Sequence, residues 1–217
     1  MPLFSLRSNE PRKLAESTKL NPEHVKWLEE QIAFHGSVLP ENFLVIDMWK
    51  HPACSGLLAL DQKASLAVLL IASRSPHPKW IEDAADFAWQ MRYASYADLD
   101  EATKQYLASH GVSGVDLSEL HQQHFAINRP LKRYRFNQNQ RVLLLAPEFL
   151  QDAIEKISWR RFEIDIEGYI VKFIKNDSRD DFLHVEPAGF METGKIALLA
   201  STIASYPSSI TRRWIRI

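Results

Sequence analysis

The chain has little of several residue types on which small functional sites depend. It contains one cysteine, Cys54, and seven glycines among 217 residues. A single cysteine excludes an intrachain disulfide and is typical of a reducing compartment. So few glycines disfavour a glycine-rich loop that cradles a nucleotide phosphate. We therefore expect neither a disulfide-stapled secreted domain nor a nucleotide-binding site of the glycine-loop type.

An excess of charge and long apolar runs are also missing. Twenty-six Lys and Arg residues stand against 27 Asp and Glu residues, which gives a formal net charge of −1. No overall basic field indicates a nucleic-acid partner, so any such contact has to be local. No apolar run approaches the ~20 residues that span a membrane, and the N-terminal Met-Pro-Leu-Phe-Ser-Leu-Arg lacks the apolar core of a signal peptide. We expect a cytoplasmic protein without a membrane partner.

What the chain does contain is apolar segments of strand and helix length. The most apolar stretch runs from Ser55 to Arg74 and predicts a hairpin. Residues 57–60 form a short strand, residues 61–64 a polar connection, and residues 66–72 an unbroken apolar strand. A strand that is apolar on both faces is buried on both faces. The second strand is therefore expected at the centre of a sheet that other layers cover.

The remaining segments alternate between helical and strand patterns, which predicts an α/β protein with a mixed central sheet flanked by helices on both faces. Asn21 caps the first predicted helix and Gly36 ends it. Further helices are predicted at residues 79–94, 98–110, 116–126, 149–161 and 195–204, and strands at 3–6, 43–48, 141–146, 162–167, 169–175, 182–187 and 210–217. The domain prediction is an N-terminal arm of residues 1–20, one α/β domain of residues 21–190, and a C-terminal extension of residues 191–217 packed on the same domain.

The hairpin resembles the catalytic hairpin of PD-(D/E)XK nucleases, in particular the C-terminal nuclease domain of NucS-type endonucleases. Leu-Leu-Ala-Leu-Asp at residues 57–61 matches its first half, and residues 66–74 match its second half without a gap. Residues 83–89, Asp-Ala-Ala-Asp-Phe-Ala-Trp, are similar to the helix that follows in that family. The resemblance covers roughly residues 22–190 and implies a restriction-endonuclease-like fold.

The same resemblance implies that the catalytic site has been lost. The position of the family's metal-binding aspartate holds Gly56, that of its glutamate holds Ile71 and that of its lysine holds Ser73, while Asp83 replaces a glutamine of the next helix. Glycine and isoleucine offer no side-chain oxygen to a divalent cation. Serine has no positive charge to favour the attacking hydroxide. We therefore assign no catalytic residue, metal or cofactor, and expect a pseudoenzyme rather than an enzyme.

Several other acidic residues and histidines are candidate metal ligands. Glu41, Asp47 and Asp61 are the candidates for a rebuilt Mg²⁺ site, which only a divergent nuclease would require. Asp61 is instead interpreted as a turn residue that bonds its own backbone, and Asp47 as a solvent-facing residue at a strand end. His121 and His124 have the i, i+3 spacing of a zinc pair, but are interpreted as solvent-facing histidines.

The strongest local charge signal is the segment of residues 129–141, in which five cations alternate with two aromatic and four amide side chains. This mixture neutralises phosphates while stacking on bases or hydrogen-bonding to them. The favoured alternative is a solvated loop that leads into a strand. Arg212 to Arg216 form a second basic segment, interpreted either as an extension of this surface or as a charged edge strand. The candidate nucleic-acid contacts are Arg74, Lys79, Arg129, Lys132, Arg133 and Arg135.

Three functions remain open at this point. The first is a degenerate nuclease-fold protein that does not cleave, with DNA or RNA binding or an accessory role. The second is a protein-interaction or homodimer module that keeps the scaffold only as a shape and has no nucleic-acid affinity. The third is a divergent metal-dependent DNA endonuclease with migrated ligands. We expect the first.

Overall fold

A computed structural model describes residues 4–5, 12–13, 15–16, 19–34, 38–52, 54–175, 181–189 and 213–216. The predicted helix 195–204 and the predicted helix end at Gly36 lie outside the described residues. The helices are α1 (Pro22–Phe34), α2 (Pro78–Met91), α3 (Tyr96–Ser109), α4 (Leu117–His124) and α5 (Gln151–Arg160). The strands are β1 (Phe4–Ser5), β2 (Arg12–Lys13), β3 (Ala15–Glu16), β4 (Leu44–Met48), β5 (Ser55–Leu60), β6 (Leu66–Ile71), β7 (Gln140–Ala146), β8 (Asp165–Lys175), β9 (Asp181–Pro187) and β10 (Arg213–Arg216).

Eight of these strands form one mixed sheet. Seven follow the order β10-β9-β8-β7-β6-β5-β4, and β3 pairs with β8 beside this path. The neighbours β6, β7 and β8 are parallel, whereas β4, β5 and β6 form an antiparallel meander and β8, β9 and β10 are antiparallel. Parallel neighbours need crossover connections, which α2 to α4 and then α5 supply. The predicted mixed α/β architecture is confirmed.

Strand β6 lies in the interior of this sheet, between β5 and β7, as its unbroken apolar sequence predicts. All six of its residues are buried. Because side chains alternate between faces, Val68 and Leu70 pack in one cluster with residues of α2 and α5, while Leu69 and Ile71 pack in a second cluster with residues of α1. Both faces of the sheet are therefore covered, and functional groups are placed at the ends of its strands.

The local sequence explains where α2 begins. Pro78 occupies the first turn, where its missing N–H costs nothing, and His77 Nδ1 accepts a hydrogen bond from Lys79 N at 3.2 Å. Only residues 72–77 separate this helix from the end of β6. The first turns of α2 thus start close to the carboxyl end of β6.

The strands predicted at residues 162–167 and 169–175 are one continuous strand, β8, and the start of the first prediction is wrong. The alternation of Phe162, Ile164 and Ile166 predicts a strand from residue 162, but β8 begins at Asp165. Residues 161–163 form the turn that ends α5, where Glu163 N donates to Arg160 O, and Phe162 is 89% exposed. The apolar alternation continues by coincidence from the turn into the strand.

Among the described helices, none has the length and apolar character needed to cross a membrane.

Candidate functional site

The positions that the sequence resemblance matches to a nuclease site lie at the carboxyl end of β6, but they do not share a face. Gly56 pairs with Leu70, and Ile71 pairs with Ser55. Cross-strand partners point to the same face and their neighbours to the opposite one. Side chains at residues 56 and 71 would therefore point to opposite faces of the sheet, and Ile71 is buried against the α1 side.

Gly56 has no room for a side chain. A Cβ atom there would lie 2.6 Å from Trp49 Cε3 and 2.7 Å from the backbone oxygen of Trp49. Trp49 is held in place, since its N–H donates to Gly56 O at 3.0 Å and its ring stacks on Phe87 with centroids 5.4 Å apart. A carboxylate at residue 56 would require the backbone of Trp49 to move.

Beside Gly56, the structure brings together a thiol, an imidazole and a carboxylate. Cys54 Sγ lies 3.0 Å from His51 Nδ1, and His51 Nε2 lies 3.4 Å from Asp83 Oδ2. The other carboxylate oxygen of Asp83 accepts from Lys79 Nζ at 3.0 Å. We call Cys54, His51 and Asp83 the thiol relay. The turn between β4 and β5 supplies its first two members, which are joined by an isolated bridge, and the second turn of α2 supplies the third.

The surroundings of the thiol relay are aromatic and partly buried. The ring of His51 lies 5.1 Å from that of Trp49 and 6.3 Å from that of Trp80. Burial first and the charge of Asp83 second raise the pKa of the Cys54 thiol from 9.0 to about 12. Burial also tends to raise the pKa of Asp83, but hydrogen bonds from Lys79 and His51 outweigh it and lower that pKa. The thiol is therefore neutral at physiological pH and the carboxylate is ionised.

Sequence reasoning missed the thiol relay. Ser73 and Ser75, which lie near His77 in the sequence, do not form a comparable nucleophile and base. Ser73 is exposed, and Ser75 Oγ instead accepts from Leu150 N at 2.9 Å. The signal that was present is the i, i+3 pair of His51 and Cys54 in His-Pro-Ala-Cys.

The basic segment lies at the opposite end of the sheet. Residues 129–135, which we call the basic loop, include a single 3₁₀ turn at Arg133–Arg135. Asn137, two residues after it, donates its N–H to Ala64 O at 2.9 Å and fixes the segment beside the β5–β6 turn. Tyr134 is 66% exposed, and Arg129, Lys132 and Arg135 are exposed around it.

The six candidate nucleic-acid contacts do not form one surface. Arg74 and Lys79 follow the carboxyl end of β6, whereas the basic loop precedes β7 at the amino end. The six residues of β6 separate these ends by about 20 Å. Lys79 also binds Asp83, and Arg133 Nη2 lies 3.5 Å from Asp116 Oδ2. The basic loop is the group that leaves most of its cations accessible.

Arg141, which ends the basic segment in the sequence, is not part of any exposed basic surface. Its side chain is 14% exposed and lies 2.7 Å from Glu41, 3.3 Å from Asp61 and 3.4 Å from Glu167. The guanidinium thus occupies the space between two of the proposed metal ligands. The third, Asp47, accepts a hydrogen bond from Met48 N at 2.7 Å.

The turn interpretation of Asp61 is confirmed, because its Oδ1 accepts from Lys63 N and Ser65 N at 2.8 Å each. The interpretation of His121 as solvent-facing is wrong. Its side chain is fully buried, and its Nε2 donates to the backbone oxygen of Asp61 at 2.9 Å. Burial lowers the pKa of His121 despite that bond. This histidine was misjudged because its neighbours in α4 are polar, while the face it occupies packs under the β5–β6 turn.

An open cleft of about 460 Å³ lies beside residues 138–141, which follow the basic loop, and it is lined by side chains of both charge signs. Its lining residues are Asp61, Lys63, Ser65, Gln138, Asn139, Gln140, Arg141, Glu163, Ile164 and Asp165. In the part of the chain that the structure describes, no three His, Cys, Asp or Glu side chains are grouped to hold a metal ion.

Compared with known proteins, the chain matches no protein-family model, no curated protein and no solved structure.

Proposed function

We propose that the chain is a nuclease-fold protein that does not perform metal-dependent cleavage and that acts as a nucleic-acid-binding accessory protein. The observation that carries the loss of cleavage is the contact of Gly56 with Trp49, which leaves no space for a carboxylate. A mixed sheet covered by helices on both faces is also the architecture that the resemblance of the hairpin to PD-(D/E)XK nucleases implies. A shared fold does not bring a shared activity, because activity depends on the site.

The register of the β5–β6 hairpin is a second reason why side chains at residues 56 and 71 would not hold one cation together. Two carboxylates hold one cation only when they converge. Residues 56 and 71 belong to neighbouring cross-strand pairs and therefore point to opposite faces. Single substitutions that return an aspartate or a glutamate to these positions would not rebuild the site.

The basic loop supports nucleic-acid binding. Lys132, Arg133 and Arg135 flank the exposed ring of Tyr134, so that phosphates and an unpaired base can be contacted together. Single-stranded DNA or RNA fits this arrangement best, because an unstacked base presents its face to an aromatic side chain. The acidic residues of the adjacent cleft restrict the basic surface to the loop itself.

The experiment is a binding titration with the triple variant Lys132→Ala, Arg133→Ala, Arg135→Ala. We expect the wild-type chain to bind fluorescent single-stranded oligonucleotides, with affinity falling as salt rises. The triple variant should bind more weakly, and its salt slope should fall by roughly 0.7 for each lost phosphate contact on a single strand. Fluorescence anisotropy across a salt series measures both quantities.

The double variant Arg74→Ala, Lys79→Ala is the matched control, because it removes two cations at the other end of the sheet. It should bind like the wild type, and circular dichroism should show that all three proteins are folded. Binding that survives the triple change contradicts the basic loop as the contact surface. Binding lost in the control instead would place the surface at the carboxyl end of β6.

A protein-interaction or homodimer module is the second candidate, and one observation favours it. Trp159 and Phe162, at the end of α5, are 73% and 89% exposed. Large exposed aromatic side chains are enriched in protein interfaces. Sedimentation of the wild type and of the double variant Trp159→Ser, Phe162→Ser separates the two candidates. An interaction or homodimer module should form an assembly that the double variant loses, and it should have no affinity for oligonucleotides. A divergent nuclease is favoured by no such observation, since Glu41 and Asp61 bind Arg141.

A further inference from the structure

In the thiol relay, the thiol contacts the imidazole and the imidazole contacts the carboxylate. Catalytic sites arrange a nucleophile, its base and the carboxylate that orients the base in the same sequence. Cys54 Sγ is in hydrogen-bond contact with His51, and the far ring nitrogen of His51 faces Asp83. A carboxylate only accepts hydrogen bonds, so the proton of the neutral imidazole lies on Nε2. His51 Nδ1 is then an acceptor aimed at the thiol. One tautomer satisfies both contacts, and it is the tautomer that a general base requires.

The position of the thiol relay in the fold also suits a site. Ser55 pairs with Ile71, the last residue of β6, so Cys54 lies just beyond the carboxyl end of the parallel strands. Open α/β sheets bind their ligands outside this end. Cys54 is partly exposed, and the rings of Trp49 and Trp80 lie 5.1 and 6.3 Å from the ring of its partner His51. The site is therefore reachable and partly shielded from water.

We propose that Cys54 is the nucleophile of an acyl-transfer site, with His51 as its general base and Asp83 as the residue that positions His51. The substrate class is a thioester with an apolar acyl group. A thiol exchanges with a thioester at little thermodynamic cost, because one carbon–sulfur bond replaces another, and the aromatic walls suit an apolar acyl chain. This site lies at the other end of the sheet from the basic loop, so it does not depend on nucleic-acid binding.

The covalent step balances without an added reactant. Cys54 Sγ attacks the acyl carbon while its proton passes to His51 Nδ1. The bond between the acyl carbon and the leaving sulfur then breaks, and His51 returns the proton to that sulfur. The products are S-acyl Cys54 and a free thiol, with no change in oxidation state.

The Cys54 thiol is protonated at rest, so it needs a base before it can attack an acyl carbon. A Cys54 pKa of about 12 leaves almost no thiolate at neutral pH. Without His51, the folded chain should react more slowly than the unfolded chain, whose thiol has an ordinary pKa of 9.0. The charged groups that face the relay are Asp83 and Lys79, and Glu82 and Asp86 contribute to the charge around Lys79.

The test uses the full chain and the probe para-nitrophenyl thioacetate at neutral pH. Release of the coloured thiolate gives the rate, and mass spectrometry locates the acetyl group, which is unambiguous because Cys54 is the only cysteine. We expect one acetyl group on Cys54, added faster in the folded chain than in urea. His51→Gln should slow acylation by about 10²-fold, whereas His110→Gln, a matched change far from the relay, should not.

Asp83→Asn tests the positioning role, because it keeps the shape of the side chain and removes its charge. It should lower the rate and shift the pH profile of acylation, a readout that a merely structural residue would leave unchanged. Acetyl groups found only on lysines, or equal rates for His51→Gln and wild type, would overturn the proposal. Comparison with the urea-unfolded chain needs no variant, and slower acylation in the folded chain would overturn it as well.

Discussion

At the residue scale, the proposed loss of metal-dependent cleavage rests on the tight packing of Gly56 against Trp49. Adding a methyl group to a strand glycine usually stabilises a protein slightly. Here the added Cβ would contact both the ring and the backbone oxygen of Trp49. We expect Gly56→Ala to lower the free energy of unfolding by about 1–3 kcal/mol, the usual cost of overpacking. Urea unfolding followed by circular dichroism measures the change.

The neighbouring change Ser55→Ala is the control for Gly56→Ala and should be nearly neutral. The double variant Trp49→Ala, Gly56→Ala separates the two contacts. The cost of adding the Cβ should be smaller in the Trp49→Ala background but should not vanish, because the backbone oxygen at 2.7 Å remains. A Gly56→Ala protein as stable as the wild type would show that a side chain fits there.

His121 makes stability depend on pH, and the direction follows from its burial. Because burial lowers the folded-state pKa below the ordinary 6.5, the unfolded chain takes up a proton first as the pH falls. The contribution of His121 is present above about pH 6.5 and is lost as the pH falls toward the folded-state pKa. The free energy of unfolding should fall by up to about 1.4 kcal/mol per pH unit in this range.

His121→Gln should flatten that decline, since glutamine does not titrate, although it lowers stability at neutral pH by removing the bond to Asp61 O. Urea titrations at a series of pH values measure both effects. The exposed His110 provides the matched control, His110→Gln. Identical pH slopes for His121→Gln and the wild type would contradict a buried, neutral His121.

At the scale of elements, Arg141 joins four parts of the sheet. It is the second residue of β7 and contacts Asp61 in the β5–β6 turn, Glu167 in β8 and Glu41 before β4. Arg141→Met would leave three carboxylates without their shared cation, and we expect a loss of about 3 kcal/mol in unfolding free energy. Adding Glu41→Gln should restore part of that loss. Urea unfolding measures both, and a cost below about 1 kcal/mol would show that the cluster contributes little.

The elements were largely predictable because their signals are local. The six buried residues of β6 form one apolar run, and α2 shows apolar spacing after a proline. Phe162 was placed wrongly because the turn and bend before β8 continue the strand's alternation over residues 162–164. Local periodicity reports which face of an element is buried, and it does not report where a turn ends.

The sites were predictable only where their residues are neighbours in sequence. The bonds of Asp61 to its own turn follow from residues 61–65 alone. In contrast, Asp83 is 32 residues from His51, and the contact exists only because α2 starts beside the carboxyl end of β6. Arg141 was grouped with the cations of residues 129–141 because its three carboxylate partners come from segments that are distant in the sequence. Tertiary placement decides the role of both side chains.

At the scale of the whole molecule, strands β6 and β7 separate the two ends of the sheet for which functions are proposed. The basic loop lies at the amino end of β6 and β7, and the thiol relay lies at the carboxyl end, about 20 Å away. A change at one end should therefore leave the other intact. The triple variant of the basic loop should acylate Cys54 like the wild type, and His51→Gln should bind oligonucleotides like the wild type.

Loss of metal-dependent cleavage is the central claim, and a cleavage assay tests it most directly. The purified chain is incubated with single-stranded, duplex and branched DNA in Mg²⁺, in Mn²⁺ and in chelator, and binding is followed in the same samples. We expect no cutting under any condition and salt-sensitive binding that persists in chelator. Metal-dependent cutting that disappears in Asp47→Asn or Asp61→Asn would contradict the claim and place a working metal site in this fold.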